Sequence, residues 1–235
     1  MKTLGLLETD TLYDDLLADY TSYGTMFTRY FAGLGVGLNY RFYQVQQGEL
    51  PADLNECDAY LITGSKAGVY DNLPWIAPLQ DWIRDAYAHK RKLIGICFGH
   101  QLLAHTLGGH AARSPKGWGI GVHSTRIEHH PVWMNDDLSH MRLIYSHRDQ
   151  VEQLPPAATR MASSEFCENA AFYIGQQVMA FQGHPEFTAE YARRLLPRRE
   201  NCIGPDVFQR GMCTLEQPND SARVGRWLGE FIALP

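Results

Sequence analysis

The feature that most constrains this chain is a five-residue junction, Gly95-Ile96-Cys97-Phe98-Gly99, between an apolar segment and a helical one. Residues 93–96 predict a buried strand, and residues 100–107 predict a helix that ends at a glycine pair. Such a turn holds its central residue in a strained backbone conformation, and bulk at either glycine would collide with the neighbouring strand and helix. The junction therefore predicts a sharp elbow that presents Cys97 at a helix N-terminus, where the reactive thiolate is favoured.

Strands and helices alternate through the first half of the chain, which is typical of a parallel sheet with helices on both faces. The predicted strands there are 2–7, 40–45, 58–63 and 93–96, and the predicted helices are 21–34, 75–89 and 100–107. Later short strands indicate added antiparallel pairs, at 122–127, 141–145, 160–163, 171–174 and 178–181. Two helices, 188–199 and 222–232, are expected to close the chain, with Thr188 as an N-cap. We expect an α/β three-layer sandwich with a mostly parallel central sheet.

The composition and charge of the chain indicate an ordinary globular domain. The chain has 235 residues, 45% of them hydrophobic, and no low-complexity stretch divides it, so we expect one domain over residues 1–235. The net charge of −5 provides no basic surface for nucleic acid. The N-terminal apolar run is too short for a signal peptide or a membrane span, so we expect a cytoplasmic protein with no membrane partner.

The cysteines and histidines do not have the spacing of a metal site. The five cysteines are odd in number and include no close C-x-x-C pair, so neither a disulfide framework nor a zinc site is expected. Every cysteine except Cys97 is expected to be a small buried hydrophobe. His129 and His130 are adjacent in a polar segment, which favours a solvated loop over a ligand pair. We expect no metal and no cofactor.

A second motif, Gly183-His184-Pro185-Glu186, follows the predicted strand 178–181. Because parallel strands end at the same edge of a sheet, His184 and Cys97 are expected to meet there. Glu186 can then reach the second imidazole nitrogen, which gives a nucleophile, a base and an orienting carboxylate. Alone, His184 and Glu186 each favour an ordinary interpretation, as a loop histidine and as a carboxylate at a helix start, and the Cys97 pattern fits a buried cysteine as well as a nucleophile. Together they favour a catalytic triad.

These residues carry a family resemblance. The run Gly95-Ile-Cys-Phe-Gly-His-Gln101, followed by Gly183-His184-Pro-Glu186, resembles the signature of the class I glutamine amidotransferases. Agreement extends to the segments 61–65, 117–122 and 146–151, and the resemblance covers about residues 3–194, with a helical extension to 235. It is strongest to the amidotransferase domain of GMP synthase and to free-standing relatives that include γ-glutamyl peptidases. The chain departs from it at Thr63-Gly64-Ser65, where the synthase-type domain has Gly-Gly-Pro.

The resemblance implies a flavodoxin-like amidotransferase fold and a triad of Cys97, His184 and Glu186. Chemistry requires donors for the developing oxyanion, and the backbone N–H groups of Phe98 and Gly64 are the geometric choice, although Gly64 also suits a simple turn. The resemblance implies that Gln101, Ser146 and His147 contact the substrate. The alternative for Gln101 is packing within its helix. The alternative for Ser146 and His147 is an ordinary polar loop.

Three functions remain open at this point. The first is a glutaminase-type enzyme that releases glutamate and ammonia through a γ-glutamyl thioester on Cys97, with the ammonia passed to a separate synthetase or another acceptor. The second is a γ-glutamyl peptidase that acts on isopeptides. The third is a non-catalytic binding or regulatory module on the same fold. The first two need a small-molecule substrate. No stretch of the chain resembles a synthetase domain or a P-loop.

Overall fold

A nine-stranded sheet and a separate two-stranded sheet organise the protein, in a computed structural model that describes residues 1–134 and 136–235. The strands are β1 (Lys2–Glu8), β2 (Leu38–Gln44), β3 (Ala59–Ile62), β4 (Lys92–Ile96), β5 (His110–Arg113), β6 (Gly119–Ile127), β7 (His140–His147), β8 (Asp149–Gln153), β9 (Thr159–Ser163), β10 (Ala171–Ile174) and β11 (Val178–Phe181). The α-helices are α1 (Asp14–Tyr20), α2 (Tyr23–Gly33), α3 (Ile76–Ala88), α4 (Phe98–Thr106), α5 (Ala189–Leu195), α6 (Glu200–Ile203), α7 (Pro205–Thr214) and α8 (Ser221–Ala233).

The large sheet has the order β2-β1-β3-β4-β11-β10-β9-β6-β7. Its first five strands are mutually parallel, and each later neighbour pairs antiparallel. It follows that β6 and β10 run against the other seven strands, so the expected mostly parallel sheet with added antiparallel strands is confirmed. The consequence for function is that β3, β4, β11 and β7 all end at one edge.

Helices cover both faces of the sheet, which gives the predicted three layers. Strands β3, β4 and β11 are buried along their whole length, and apart from Lys92 at the start of β4 they carry no charged residue. On one face, α2 and α8 pack Phe27 and Phe231 against Leu4 and Leu6 of β1. On the other face, helices α3 and α4 form a second core, which includes residues of β1, β3 and β4.

The predicted helix 222–232 is confirmed as α8, but the prediction of one uninterrupted helix over 188–199, with no other helix before α8, was wrong. The helix that begins after Thr188 ends at Leu195, and residues Leu196–Arg199 form a 3-10 turn. Pro197 cannot donate a backbone hydrogen bond, which explains why the α-helix does not continue. Helices α6 and α7 then precede α8. The N-cap was predicted correctly, since Thr188 Oγ1 accepts a hydrogen bond from the N–H of Tyr191 at 3.1 Å.

The antiparallel half of the sheet curls back to the parallel half. Although β7 is the last strand in the order, the N–H of His184, just beyond β11, donates to the carbonyl of Ile144 in β7 at 2.8 Å. A side chain at Gly183 would collide with Leu143 and Tyr145, so glycine permits this close approach. The end of β7 therefore lies beside the end of β11.

Within the described residues 1–134 and 136–235, no helix combines the length and the apolarity that crossing a membrane requires.

Candidate active site

The elbow is formed as the sequence predicts. Cys97 lies between β4 and α4 with φ 53° and ψ −101°, a conformation that non-glycine residues rarely adopt. A Cβ at Gly95 would meet the backbone of Gly99, and a Cβ at Gly99 would meet the carbonyl of Ile62 in β3. Both glycines are therefore required by close packing against the helix and the neighbouring strand. The N–H of Cys97 donates to the carbonyl of Phe181 at 2.9 Å, which ties the elbow to β11.

His184 and Glu186 are joined by a direct hydrogen bond, and both are buried. His184 Nδ1 lies 2.8 Å from Glu186 Oε1, and the side chains are 4% and 0% exposed. Since a carboxylate only accepts, Nδ1 carries the proton and Nε2 is left for another partner. Phe187 stacks on the imidazole with the ring centroids 3.9 Å apart and the planes 9° from parallel. The imidazole is thus held from its edge and from its face.

The cysteine lies close to this pair. A Cβ added at Gly64, in the turn after β3, would lie 2.8 Å from His184 Cε1 and 3.6 Å from Cys97 Cβ, so one glycine touches both side chains. Burial on its own would lower the pKa of His184. The negative charges of Glu186 and of the Cys97 thiolate outweigh burial and raise the pKa to about 10. The site therefore favours the imidazolium form of His184.

Two backbone donors border the elbow. The turn after β3 is attached to α4 through the N–H of Gly99, which donates to the carbonyl of Thr63 at 3.2 Å. Neither the N–H of Gly64 nor that of Phe98 has a hydrogen-bond partner in the part of the chain that the structure describes. Unpaired N–H groups at a helix start are suited to a developing negative charge.

A cavity of about 300 Å³ opens over Cys97. The three residues predicted as substrate contacts all line it: Gln101, Ser146 and His147. Gln101 Nε2 is already engaged, since it donates to the carbonyl of Asp149 at 2.8 Å and to Gln182 Oε1 at 3.0 Å. The side-chain oxygen of Gln101 remains as its acceptor.

Ser146 and His147 are the last two residues of β7 and not part of a loop, so that part of the prediction was wrong. The curl of the sheet brings this strand end to the site. His147 Nδ1 lies 2.9 Å from the carbonyl of Asp149, so Nδ1 carries the proton. Burial lowers the pKa of His147 to about 3, which keeps the ring neutral. Its Nε2 is fully buried and has no hydrogen-bond partner in the described chain.

Sequence reasoning missed several residues that build the site. Phe187 directly follows Glu186, and an aromatic next to a candidate triad residue was a usable signal. Arg199 donates to Ser146 Oγ at 2.9 Å and lines the cavity, but it lies in the segment that was predicted as uninterrupted helix. Pro197 was the signal for a break there. Trp118 also lines the cavity.

All five thiols are free. Cys57 and Cys167 are buried as predicted, and burial raises the pKa of Cys167 to about 12. Cys202 and Cys213 are exposed, which contradicts the expectation of burial, since both lie on the solvent side of short C-terminal helices. In residues 1–134 and 136–235 no three histidine, cysteine or acidic side chains are grouped closely enough to hold a metal ion.

Comparison with known proteins shows the family of the chain. The model of the glutamine amidotransferase class-I family matches residues 16–200. The chain belongs to that family. An Arabidopsis thaliana protein named gamma-glutamyl peptidase 3 is 31% identical over 186 residues, which are 75% of each chain. A Saccharomyces cerevisiae protein provisionally named a glutamine amidotransferase is 34% identical over 194 residues, 78% of this chain and 76% of the relative.

Solved structures agree with the fold of a class I glutamine amidotransferase. The crystal structure of a glutamine amidotransferase from Thermotoga maritima superposes with a TM-score of 0.77, covering 98% of this chain and 96% of that one, at 20% identity. The predicted fold class is thereby confirmed.

Proposed function

We propose that this chain hydrolyses the γ-carboxamide of glutamine, with Cys97 as nucleophile, His184 as general base and acid, and Glu186 as the group that orients the histidine. The observation that carries the proposal is the 2.8 Å contact between His184 Nδ1 and Glu186 Oε1 directly beside the strained Cys97. This arrangement fixes one tautomer and leaves the other ring nitrogen for proton exchange with the thiol. No metal or cofactor enters the proposed reaction.

The reaction proceeds in two halves. The Cys97 thiolate attacks the γ-carbonyl carbon, and the imidazolium of His184 gives its proton to the amide nitrogen as the C–N bond breaks. Ammonia leaves, and a γ-glutamyl thioester remains on Cys97. Water then attacks the thioester and gives a proton to His184. The C–S bond breaks, which releases glutamate and regenerates the thiolate.

Negative charge develops on the γ-carbonyl oxygen in both halves. We assign its stabilisation to the unpaired N–H groups of Phe98 and Gly64, which border the elbow. A donor of this kind contributes about 3 kcal/mol to transition-state stabilisation. Substrate binding is assigned to Gln101, Ser146 and His147, because all three line the cavity with Cys97.

A second activity, hydrolysis of γ-glutamyl peptides, is favoured by the extent of the cavity. The cavity of about 300 Å³ is lined by Tyr70, Trp118 and Arg199 as well as Cys97, which leaves room for more than a carboxamide. The resemblance to gamma-glutamyl peptidase 3 points the same way. The same triad chemistry applies, with an amine in place of ammonia. In the glutaminase case the ammonia passes to a separate synthetase or another acceptor.

One experiment separates these activities. Ammonia release from glutamine is measured for the purified protein and set beside amine release from γ-glutamyl dipeptides at equal concentration. We expect measurable hydrolysis of glutamine, and Cys97→Ser is expected to lower it at least a thousandfold with folding intact, because a hydroxyl is far less acidic than a thiol. Cys213→Ser, at an exposed position outside the cavity, is the matched control and is expected to retain activity.

Dipeptide turnover that exceeds glutamine turnover a hundredfold, about 2.7 kcal/mol in transition-state terms, would replace the glutaminase with the peptidase. Hydrolysis of neither class of compound would favour a non-catalytic module. If Cys97→Ser kept half of the parent's activity, Cys97 would not be the nucleophile.

A further inference from the structure

Arg199 lies on the wall of the cavity in a fixed position. Its Nη1 donates to Ser146 Oγ at 2.9 Å and contacts the carbonyl oxygen of the same residue at 3.4 Å. Its guanidinium carbon lies 5.8 Å from the centre of the Trp118 ring. These contacts hold a long and otherwise mobile side chain in one arrangement, so less conformational freedom remains to be lost when a ligand binds.

The charge of Arg199 has no counterpart in the described chain, whereas the other cations that line the cavity have one. Lys66 Nζ lies 2.8 Å from Asp10, and Arg198 is paired with Asp15. Arg148 Nε lies 3.6 Å from Asp149 Oδ1. No carboxylate oxygen of residues 1–134 or 136–235 lies within 4.0 Å of the Arg199 guanidinium. Arg199 is half-buried, and a guanidinium in that setting is stabilised by an anion.

We propose that Arg199 binds a carboxylate of the substrate, an inference that rests on the proposed hydrolysis of γ-glutamyl amides. A guanidinium matches a carboxylate with two parallel N–H donors, and Trp118 and Ser146 orient those donors before the substrate arrives. A γ-glutamyl dipeptide brings two such groups into the cavity, one on the γ-glutamyl head and one on the leaving amino acid. Glutamine brings the first alone. Arg199 therefore determines specificity from a segment outside the family's signature motifs.

The test combines protein variants that lack the arginine charge with substrates that lack one carboxylate, and compares kcat/KM for every combination. The substrates are γ-glutamyl-alanine, γ-glutamyl-alaninamide, which lacks the carboxylate of the leaving group, and γ-glutamyl-alanine with its head α-carboxyl converted to an amide. The proteins are the parent, Arg199→Met, Arg199→Lys and the control Arg193→Met. Arg193 is on α5 and is paired with Glu216 away from the cavity, so its replacement removes the same charge without touching the site.

We expect Arg199→Met to lower kcat/KM for γ-glutamyl-alanine about ten- to a hundredfold, mostly through KM, the range of a charge-assisted hydrogen-bonded pair. Arg199→Lys should recover part of the loss. For one of the two amidated substrates the variant and the parent should be equal. Equality on the head-amidated substrate assigns the carboxylate to the head, and equality on the alaninamide assigns it to the leaving group. Either result supports the inference.

An equal loss on all three substrates would show a structural role and overturn the inference, as would no loss on any. If the parent hydrolyses none of the three, the γ-glutamyl peptidase activity fails on its own account, and hydrolysis of glutamine is decided separately by ammonia release. Calorimetry with γ-glutamyl-alanine then decides the remaining claim. Binding at least tenfold weaker in Arg199→Met than in the parent supports it, and equal or undetectable binding to the parent overturns it.

Discussion

At the scale of single residues, His184 controls the electrostatics of the site. Its ring is buried, touches Gly64, stacks on Phe187 and shares a hydrogen bond with Glu186. The carboxylate is therefore expected to act on the charge and on the orientation of the imidazole, while the imidazole itself transfers protons. Replacing these two residues should have unequal effects.

We expect His184→Ala to lower kcat/KM by a larger factor than Glu186→Gln, because the first removes the proton carrier and the second only its orientation and charge. The two variants should also differ in pH dependence. The pKa of His184 is raised from 6.5 to about 10 largely by Glu186 and Cys97, so loss of the Glu186 charge lowers it. The imidazolium needed for the first half of the reaction is then lost at a lower pH.

The measurement is kcat/KM from pH 5 to pH 10 for the parent and Glu186→Gln. A shift of the alkaline limb to lower pH by about one unit or more is the expected result. An unmoved limb would mean that Glu186 does not set the charge of His184. Activity of His184→Ala equal to that of the parent would remove the triad altogether.

At the scale of elements, the site is made by the junctions between strands and the segments that follow them. The elbow after β4 and the motif after β11 were predictable because each depends on residues close in the sequence: Gly95 and Gly99 around Cys97, and Pro185 between His184 and Glu186. Ser146 and His147 were predicted as contacts but assigned to a loop. Their position depends on the curl that joins β7 to β11, which no local pattern encodes.

The position of Arg199 on the cavity wall was not predicted, for a similar reason. Its role depends on the break at Pro197 and on how the following turn packs against Ser146 and Trp118, and apolar periodicity does not specify either. The exposure of Cys202 and Cys213 was missed because short helices carry too few residues to define an apolar face.

The close packing of Gly99 against β3 leads to a prediction about stability. Gly99→Ala is expected to lower the free energy of unfolding by about 2 kcal/mol or more, because the added methyl group meets the carbonyl of Ile62 and pushes β3 from α4. Gly33→Ala is the matched control: Gly33 ends α2, is exposed and has no heavy atom within 4 Å of an added Cβ. Its expected effect is a small stabilisation of up to about 1 kcal/mol. Denaturant unfolding measures both, and equal stability of the two variants would contradict the packing argument.

At the scale of the whole molecule, the C-terminal helix belongs to the main core although it lies beyond the region of family resemblance. Helix α8 buries an apolar stripe against β1 and α2: Val224, Trp227, Leu228, Phe231 and Ile232. Lys92, at the start of β4, also donates to the carbonyl of Ile232 at 3.3 Å. The helix is thus attached to the strand that carries the elbow.

We expect Phe231→Ala to cost about 3–5 kcal/mol, since the ring is fully buried and its loss leaves a cavity. Arg226→Ala, on the exposed side of the same helix, is expected to change stability by less than about 0.5 kcal/mol. Thermal and denaturant unfolding give the comparison. A cost below about 1 kcal/mol for Phe231→Ala would mean that α8 is not part of the cooperative core.

The backbone hydrogen bond between His184 and Ile144 has a consequence for the nascent chain. Domains acquire structure as they leave the ribosome, N-terminal residues first. Cys97 and strands β1 to β4 are synthesised well before β7, and β7 well before β11 and His184. A growing chain therefore carries a thiol without its proposed proton partner until the last strand of the sheet is in place. Reactivity would then be withheld from every incomplete chain, and the thiol would meet cellular amides only after the molecule has closed.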